Sequence, residues 1–385
     1  MSVIKIGVLL PKSSLYPSIG FDLLNGLKAR LDSVQHFSYE LLYENIGAGG
    51  DSNEIYNKAE KLLLRDAWIV LAFLDHSEAT KLDMLFRLQK RILIVLDPGA
   101  HVPLTWNDGS PYRFTISLQT AFNNYVTGAL AAKSGNKRAF FASSFYEGGY
   151  LQTYSYLKGH EREGGTIHFH SIVPFHRNQY QTSDLVHAFE HHQPDAILAQ
   201  FSAEAGEVFL SGYARTSICR QVPLYVSAFM LEENWLDTLP YPFDGIKGCI
   251  SWCRSLDNDK NHQFVNTIRQ QHEATPNIFT LLGWEGALLV NQLARSPEAP
   301  KRTDEVLAKA ECMELHSPRG PLRLHEGSRI FFSPVYQAEI VKNPTTGNCQ
   351  LKLIGNYPCE SEKSAFTNET PTGVFSKWTN TYLCI

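Results

Sequence analysis

Residues 4–20 read IKIGVLLPKSSLYPSIG, and the fold follows from the break at Pro11. Before the break, Ile4 to Leu10 form an apolar strand pattern. After it come Lys12-Ser13-Ser14 and a helix-period stretch from Ile19 to Leu31. An apolar strand, a polar loop and an amphipathic helix are the opening of a parallel α/β sheet. In open sheets of this kind ligands collect beyond the carboxyl ends of the strands, where the next helix offers free backbone N–H groups. The loop from Lys12 to Gly20, with Ser13 and Tyr16, is therefore the first place to expect binding groups.

The pattern repeats. Further strands read at Tyr39–Tyr43, Trp68–Phe73 and Ile92–Leu96, with helices at Asn53–Leu64 and Ser77–Lys90; Asp51 and Ser52 are placed to cap the first of these helices, and Ser77 with Glu78 to start the second. A second alternating set follows: a helix at Ala121–Ala132, strands at Arg138–Ala142, Thr166–Ile172, Ala196–Ala199 and Leu224–Ala228, and helices near Leu151–Glu161, Ser183–His191 and Ala203–Tyr213. Helices at Asn261–His272, Phe279–Leu293 and Thr303–Cys312 come next. They fit best if the chain crosses back to complete the first domain. A β-rich tail starts at Ser328, and Cys359 to Trp378 reads as a loosely structured extension.

The chain has 385 residues, 43% hydrophobic and 12% aromatic, enough for two domains with their own cores. A net charge of -4 without a Lys/Arg block gives no electrostatic footprint for nucleic acid. No run approaches the roughly 20 apolar residues of a membrane span, and no leader pattern opens the sequence, which reads as soluble. The seven cysteines, Cys219, Cys249, Cys253, Cys312, Cys349, Cys359 and Cys384, cannot all pair within one chain, so at least one thiol is free or intermolecular.

Catalytic and cofactor motifs are weak. The glycines at 47, 49 and 50 and at 148–149 lack GxGxxG or GxxxxGK[ST] spacing and read as turns. Candidate metal ligands are His160, His168 and His170, or His187, His191 and His192. The segment His187 to His191 matches HxxEH but has no evident third ligand, and Cys249 and Cys253 have no second pair. No GxSxG elbow is present. The expectation is no enzyme, no metal and no cofactor.

The informative constellation is the set of strand ends: Lys12-Ser13-Ser14, Asp75-His76-Ser77, Asp97 to His101, Phe145-Tyr146-Glu147, Phe201-Ser202 and Ser227-Ala228-Phe229. Hydroxyls, glycine and aromatics at corresponding strand ends of two domains suit a small polar molecule held by hydrogen bonds and stacking. The bland alternative is that Ser77 and Ser202 cap helices, Tyr146 packs on its own domain and Asp97-Pro98-Gly99 is a turn.

These segments, with GGDSNEIYNKAEKLL at 49–63, FASSFYEGGYLQ at 141–152, LLGWEGALLVNQLA at 281–294, Ser317-Pro318-Arg319-Gly320 and Ser333-Pro334-Val335-Tyr336, resemble the type I periplasmic solute-binding proteins of the leucine/isoleucine/valine-binding group. The resemblance implies two doubly wound parallel-sheet α/β lobes joined by three crossovers near Ser117, Ile250 and Phe332. The lobes would be 1–117 with 250–332 and 118–249 with 333–358, leaving 359–385 as an extension. It implies a ligand held between lobes that close on it, a carboxylate held by His76, Ser77, Gly99, Ala100 and His101, and contacts from Tyr146, Phe201, Ser202 and the Phe229 loop. Partners would be the membrane subunits of an ABC transporter, and the location periplasmic or cell-surface. The sequence departs from the family pattern at Ser227 to Met230, which holds no carboxylate for a ligand ammonium unless Glu147 or Glu204 replaces it, and at Asp75 and Asp97, which bring anions towards a carboxylate. An aromatic acid, an amide or sugar-like solute, or a cation fits this lining as well as a branched-chain amino acid. The alternative function is a cytoplasmic sensor similar to amide-sensing regulators, signalling to a protein partner; a hydrolase would need a nucleophile and base within about 3 Å.

Overall fold

The structure is a computed structural model that describes residues 3–34, 38–100, 106–145, 147, 151–174, 179–239, 243–296, 298–311, 313–345 and 347–369, the side chains of Ala203 and Glu204 excepted. The chain divides into two compact units: the described residues up to Gln119 with Asp257–Pro334, and Thr120–Leu256 with the described residues from Val335 to Glu369.

The first unit opens with β1 (Val3–Leu10), α1 (Ile19–Asp32), β2 (Ser38–Asn45), α2 (Ser52–Leu64), β3 (Ile69–Phe73), α3 (His76–Lys81), α4 (Asp83–Gln89), β4 (Ile92–Asp97) and β5 (Arg113–Ser117). The second contains α5 (Thr120–Lys133), β6 (Arg138–Ser144), α6 (Leu151–Arg162), β7 (Thr166–Val173), α7 (Ser183–His192), β8 (Ala196–Gln200), α8 (Ala203–Ala214), β9 (Leu224–Val226), α9 (Glu233–Leu236) and β10 (Ile246–Ile250). The chain then returns to the first unit with α10 (Asp259–His272), α11 (Ile278–Leu293), α12 (Thr303–Lys309), β11 (Glu314–Ser317), β12 (Gly320–Leu324) and β13 (Ile330–Phe332). It ends in the second with β14 (Val335–Lys342), β15 (Cys349–Tyr357) and α13 (Glu360–Asn368).

Each unit is built on one sheet. In the first the order is β11-β12-β13-β5-β4-β3-β1-β2, in the second β15-β14-β10-β9-β8-β6-β7. The expected doubly wound parallel core is present in both, running from β2 to β13 and from β7 to β10. Strands β3 and β4 are buried along their whole length, as parallel strands covered on both faces must be. The departure from a purely parallel sheet lies at one edge of each: β11 and β12 pair antiparallel, as do β14 and β15.

Several local expectations change. The helix expected over Ser77–Lys90 is two, broken at Leu82, and its cap is Asp75, whose carboxylate accepts the Glu78 N–H at 2.9 Å. Asp51 caps α2 as expected, accepting from Asn53 and Glu54. The segment expected to be loose after Cys359 forms α13, whose Phe366 packs 5.2 Å from the Phe122 ring of α5. Aromatic anchoring outweighs a polar composition there. Cys312, Cys384 and the end of that segment lie outside the described residues.

The helices of each unit's core meet through reciprocal glycines. A Cβ on Gly26 of α1 would stand 1.9 Å from the Thr280 carbonyl oxygen, and one on Gly283 of α11 would stand 2.0 Å from that of Leu23. In the second unit Gly128 of α5 and Gly159 of α6 play the same parts, at 2.2 Å from the Tyr156 oxygen and 1.9 Å from the Tyr125 oxygen. No side chain fits at such a backbone approach. Gly26→Ala is expected to force α1 off α11 and cost about 1–3 kcal/mol, read by urea denaturation, even though alanine is the better helix former. An unchanged midpoint would mean that the two helices are not packed this closely.

Candidate functional site

Strand register decides which sequence-marked residues meet. In the first unit Asp97 is level with Ser117. Asp97 is 2% exposed and accepts from the Gly99 N–H at 2.9 Å and from the Ser117 hydroxyl; burial, the dominant cause, lifts its carboxyl to about 7. Gly99 sits at φ 75°, and a Cβ there would stand 2.3 Å from the Gln119 nitrogen. A turn this tight requires glycine. Ala100 is buried beside it.

At the end of β3 the Ser77 hydroxyl donates to Asp75 at 2.7 Å, so Asp75 holds a helix cap and a hydroxyl. It is not a bare anion, and Asp97 is held half protonated near neutrality. The expected repulsion of a ligand carboxylate is correspondingly reduced. His76 is turned into its own unit: it is 4% exposed, with Nε2 3.1 Å from Asp108 and Nδ1 3.4 Å from the Arg113 guanidinium. At the end of β1, Tyr16 donates its N–H to Ser13 at 3.1 Å and sets its ring edge on Phe279 at 5.5 Å.

In the second unit Ser143 is level with Gln200, and Ala199 with Val226, so Gln200 and Ser227 stand side by side. Asn124, buried in α5, joins them: its amide donates to Gln200 at 3.1 Å and accepts the Ala228 N–H at 3.0 Å. Among the described residues the Gln200 Nε2 and the Ser227 hydroxyl have no partner, although both residues are fully buried. Glu147 is 1% exposed; it takes hydrogen bonds from Ser202 and from the Ser144 N–H, and burial raises it to about 7. Its Oε1 is likewise unpartnered. Phe201 is wholly buried and stacks on Phe209 at 4.7 Å, while Phe229 lies buried in the turn Ala228–Leu231. Ser202 precedes α8 without capping it; its hydroxyl serves Glu147 instead. His101, Tyr146 and the Glu204 side chain lie outside what the structure describes.

Among the described residues no group of three or more His, Cys, Asp or Glu is placed to hold a metal. Serine and histidine stand within bonding distance at Ser143 Oγ and His170 Nε2, 2.8 Å apart, and at Ser328 Oγ and His325 Nδ1, 3.0 Å apart, and both serines are fully buried. The thiols of Cys249, Cys253 and Cys359 are pushed by burial to about 12, 11 and 11, and stay protonated at neutral pH.

Sequence reading missed Asn124, Gln200 and Gln119. A signal existed for the first: Asn123-Asn124 interrupts an otherwise apolar helix, and such a polar residue needs a buried partner. Gln119 has φ 58° and accepts from the Ser333 hydroxyl at 2.8 Å, which no spacing in the sequence announces.

Three comparisons bear on this arrangement. The model of a family described as Periplasmic binding protein matches residues 3–345. No curated protein is matched. Solved structures of similar fold include an ABC transporter substrate-binding protein from Sphaerobacter thermophilus, at 19% identity over 92% of this chain and 98% of that one, with a TM-score of 0.80. An ABC transporter solute-binding protein from R. palustris in complex with benzoate shares 20% identity over 92% and 96%, TM-score 0.72. A branched-chain amino acid transporter substrate-binding protein from Streptococcus pneumoniae in complex with isoleucine shares 13% over 92% and 99%, TM-score 0.69.

Proposed function

Because the chain belongs to the periplasmic binding protein family, whose model spans residues 3–345, we propose that it is a non-enzymatic solute receptor of an ABC transporter. It acts outside the cytoplasm and delivers a small carboxylate-bearing solute to the transporter's membrane subunits. The observation that carries the reading is the trio of buried polar atoms without partners among the described residues, Glu147 Oε1, Gln200 Nε2 and Ser227 Oγ, beyond the ends of the neighbouring strands β6, β8 and β9. More than nine in ten buried polar groups find a partner, and leaving one unmade costs about 1–3 kcal/mol. Three together at strand ends are groups waiting for a solute. Gln200 and Ser227 supply donors that suit a carboxylate, and Tyr146 is retained as a proposed aromatic contact.

An aromatic acid is the favoured solute over a branched-chain amino acid. The turn from Ser227 to Met230 holds no carboxylate to meet an ammonium, which would fall to Glu147. Glu147 is half neutral near pH 7, so it can donate to an anion as readily as accept from a cation. The relative from R. palustris, of the same fold, is in complex with benzoate.

Thermal shift against benzoate, 4-hydroxybenzoate, leucine, isoleucine and valine tests this. A solute at about a hundred times its Kd adds about 2.7 kcal/mol, a shift of several degrees. The aromatic acids are expected to give the largest shift, and Ser227→Ala to reduce it. A shift with the amino acids alone would assign the branched-chain subgroup, and none with any of the five would remove the carboxylate reading.

A further inference from the structure

Away from the strand ends, the first unit carries a pocket of about 670 Å³ walled by α1, α10, α11 and β11. Phe279, at the start of α11, meets Tyr16; Asn291, in the pocket wall, comes twelve residues later, about 18 Å along the helix. The pocket is therefore remote from the strand-end groups. Its volume lies in the range of small-molecule sites.

The lining is cationic. Arg30 comes from α1, Lys260 from α10 and Arg295 from the bend that follows α11, and the described lining residues include no carboxylate. Arg30 is held in place: its guanidinium lies 5.7 Å from the Trp284 ring centre and donates to Ser33 at 2.6 Å, while its Nε has no partner among the described residues. Arg295 leans on Gln292. His316 also lines the pocket and stands 3.8 Å from Glu314. Burial lowers the Arg30 pKa, a penalty that a neighbouring anion would relieve. The second observation is Asn291. It is 8% exposed, lines the pocket, and neither its amide oxygen nor its amide nitrogen has a partner among the described residues.

Guanidinium groups match carboxylate and phosphate oxygens in pairs, and three cations on separate elements call for more than one negative charge. An amide with both atoms unmet calls for a neutral group that can donate and accept. We propose that this pocket is a second binding site, for a small hydroxylated organic polyanion whose charges meet Arg30, Lys260 and Arg295 and whose hydroxyl bonds to Asn291. The proposal does not depend on the solute-receptor reading.

Calorimetry on the full chain with citrate, inorganic pyrophosphate and ATP in low-salt buffer tests it. At least one should bind with a Kd below about 1 mM and weaken as ionic strength rises. The double variant Lys260→Gln/Arg295→Gln, altered only at exposed positions, should bind roughly tenfold or more weakly at an unchanged melting temperature. Asn291→Leu should lose binding while melting at the same temperature or higher, because it removes an unpartnered buried amide. The response to benzoate should be the same in the double variant as in the parent, which separates the two sites. Tighter binding of citrate names a carboxylate ligand, and of pyrophosphate or ATP a phosphorylated one. No probe binding below about 1 mM, or unchanged affinity in either variant, overturns the proposal. So does binding to phosphatidylglycerol vesicles without binding to the soluble probes, which would assign the cations to a membrane surface.

Discussion

Arg319→Ala should destabilise the first unit by about 3–5 kcal/mol, lowering its melting temperature by on the order of 10 °C. Arg319 and Glu285 are both 0% exposed. The guanidinium donates from Nε and Nη2 to the two carboxylate oxygens, each at 2.8 Å, and Ser317 donates its hydroxyl to the same carboxylate. With the arginine gone, Glu285 is left buried with one hydroxyl for company. It must either protonate or draw in water. The double variant Arg319→Met/Glu285→Leu should recover most of the loss, since apolar groups of similar volume replace a buried pair at little cost. Denaturant unfolding of the single and double variants decides the matter. Equal stability of all three proteins would show that the pair is not desolvated.

The same arginine reaches further. Its Nη1 donates to the Ser333 hydroxyl at 3.3 Å, and Ser333 in turn donates to Gln119 at 2.8 Å. Gln119 and Ser333 lie at or next to two of the points where the chain leaves the first unit. A fully buried charge pair thus sets the position of both exits. Breaking it should loosen the backbone at Gln119, whose left-handed φ of 58° persists only while its surroundings hold it.

How much of this was legible in the sequence follows from what each feature depends on. The apolar run IKIGVLL, its echoes at Ile69–Phe73 and Ile92–Asp97, and the helical periods between them are local, so the alternating units could be read directly. Strands such as β5 and β10, and the hairpin β11–β12, carry a weak local pattern and are stabilised by neighbours far away in sequence; they went unread. The strand ends at Asp97, Ser202 and Ser227 could be located from the sequence because the parallel sheet makes their position a matter of topology. Their partners were hidden. Asn124 bonds to Gln200 across 76 residues, and Arg319 to Glu285 across 34, and only register and packing bring such groups together. Glu285, alone in the apolar helix LLGWEGALLV, was the clearest missed clue: a charge in a helix buried on nearly every side demands a buried counter-charge.

The stability of the solute-free protein is expected to fall as pH rises from about 4 to about 7, and Asp97 and Glu147 are the cause. Burial raises both carboxyls to about 7 from ordinary values of 3.8 and 4.5. In that window the folded units hold protons that the unfolded chain has released. The stability that the protonated carboxyls contribute is complete below about 4 and lost as pH passes through about 7. At about 1.4 kcal/mol per pH unit, the shifts correspond to roughly 4–5 kcal/mol at most for Asp97 and roughly 3–4 kcal/mol for Glu147. Asp97→Asn should keep an acceptor for the Gly99 N–H, reduce the slope for the first unit and raise its stability at pH 8. Glu147→Gln should do the same for the second. Solute binding turns on the same proton: an anionic solute that takes a hydrogen bond from neutral Glu147 must bind more weakly as pH rises through about 7, whereas an ammonium must bind more tightly. Chemical denaturation and calorimetry from pH 5 to pH 8 therefore read the charge of the solute as well as the strain in the fold. A parent protein whose stability is flat across that range would show that neither carboxyl is desolvated.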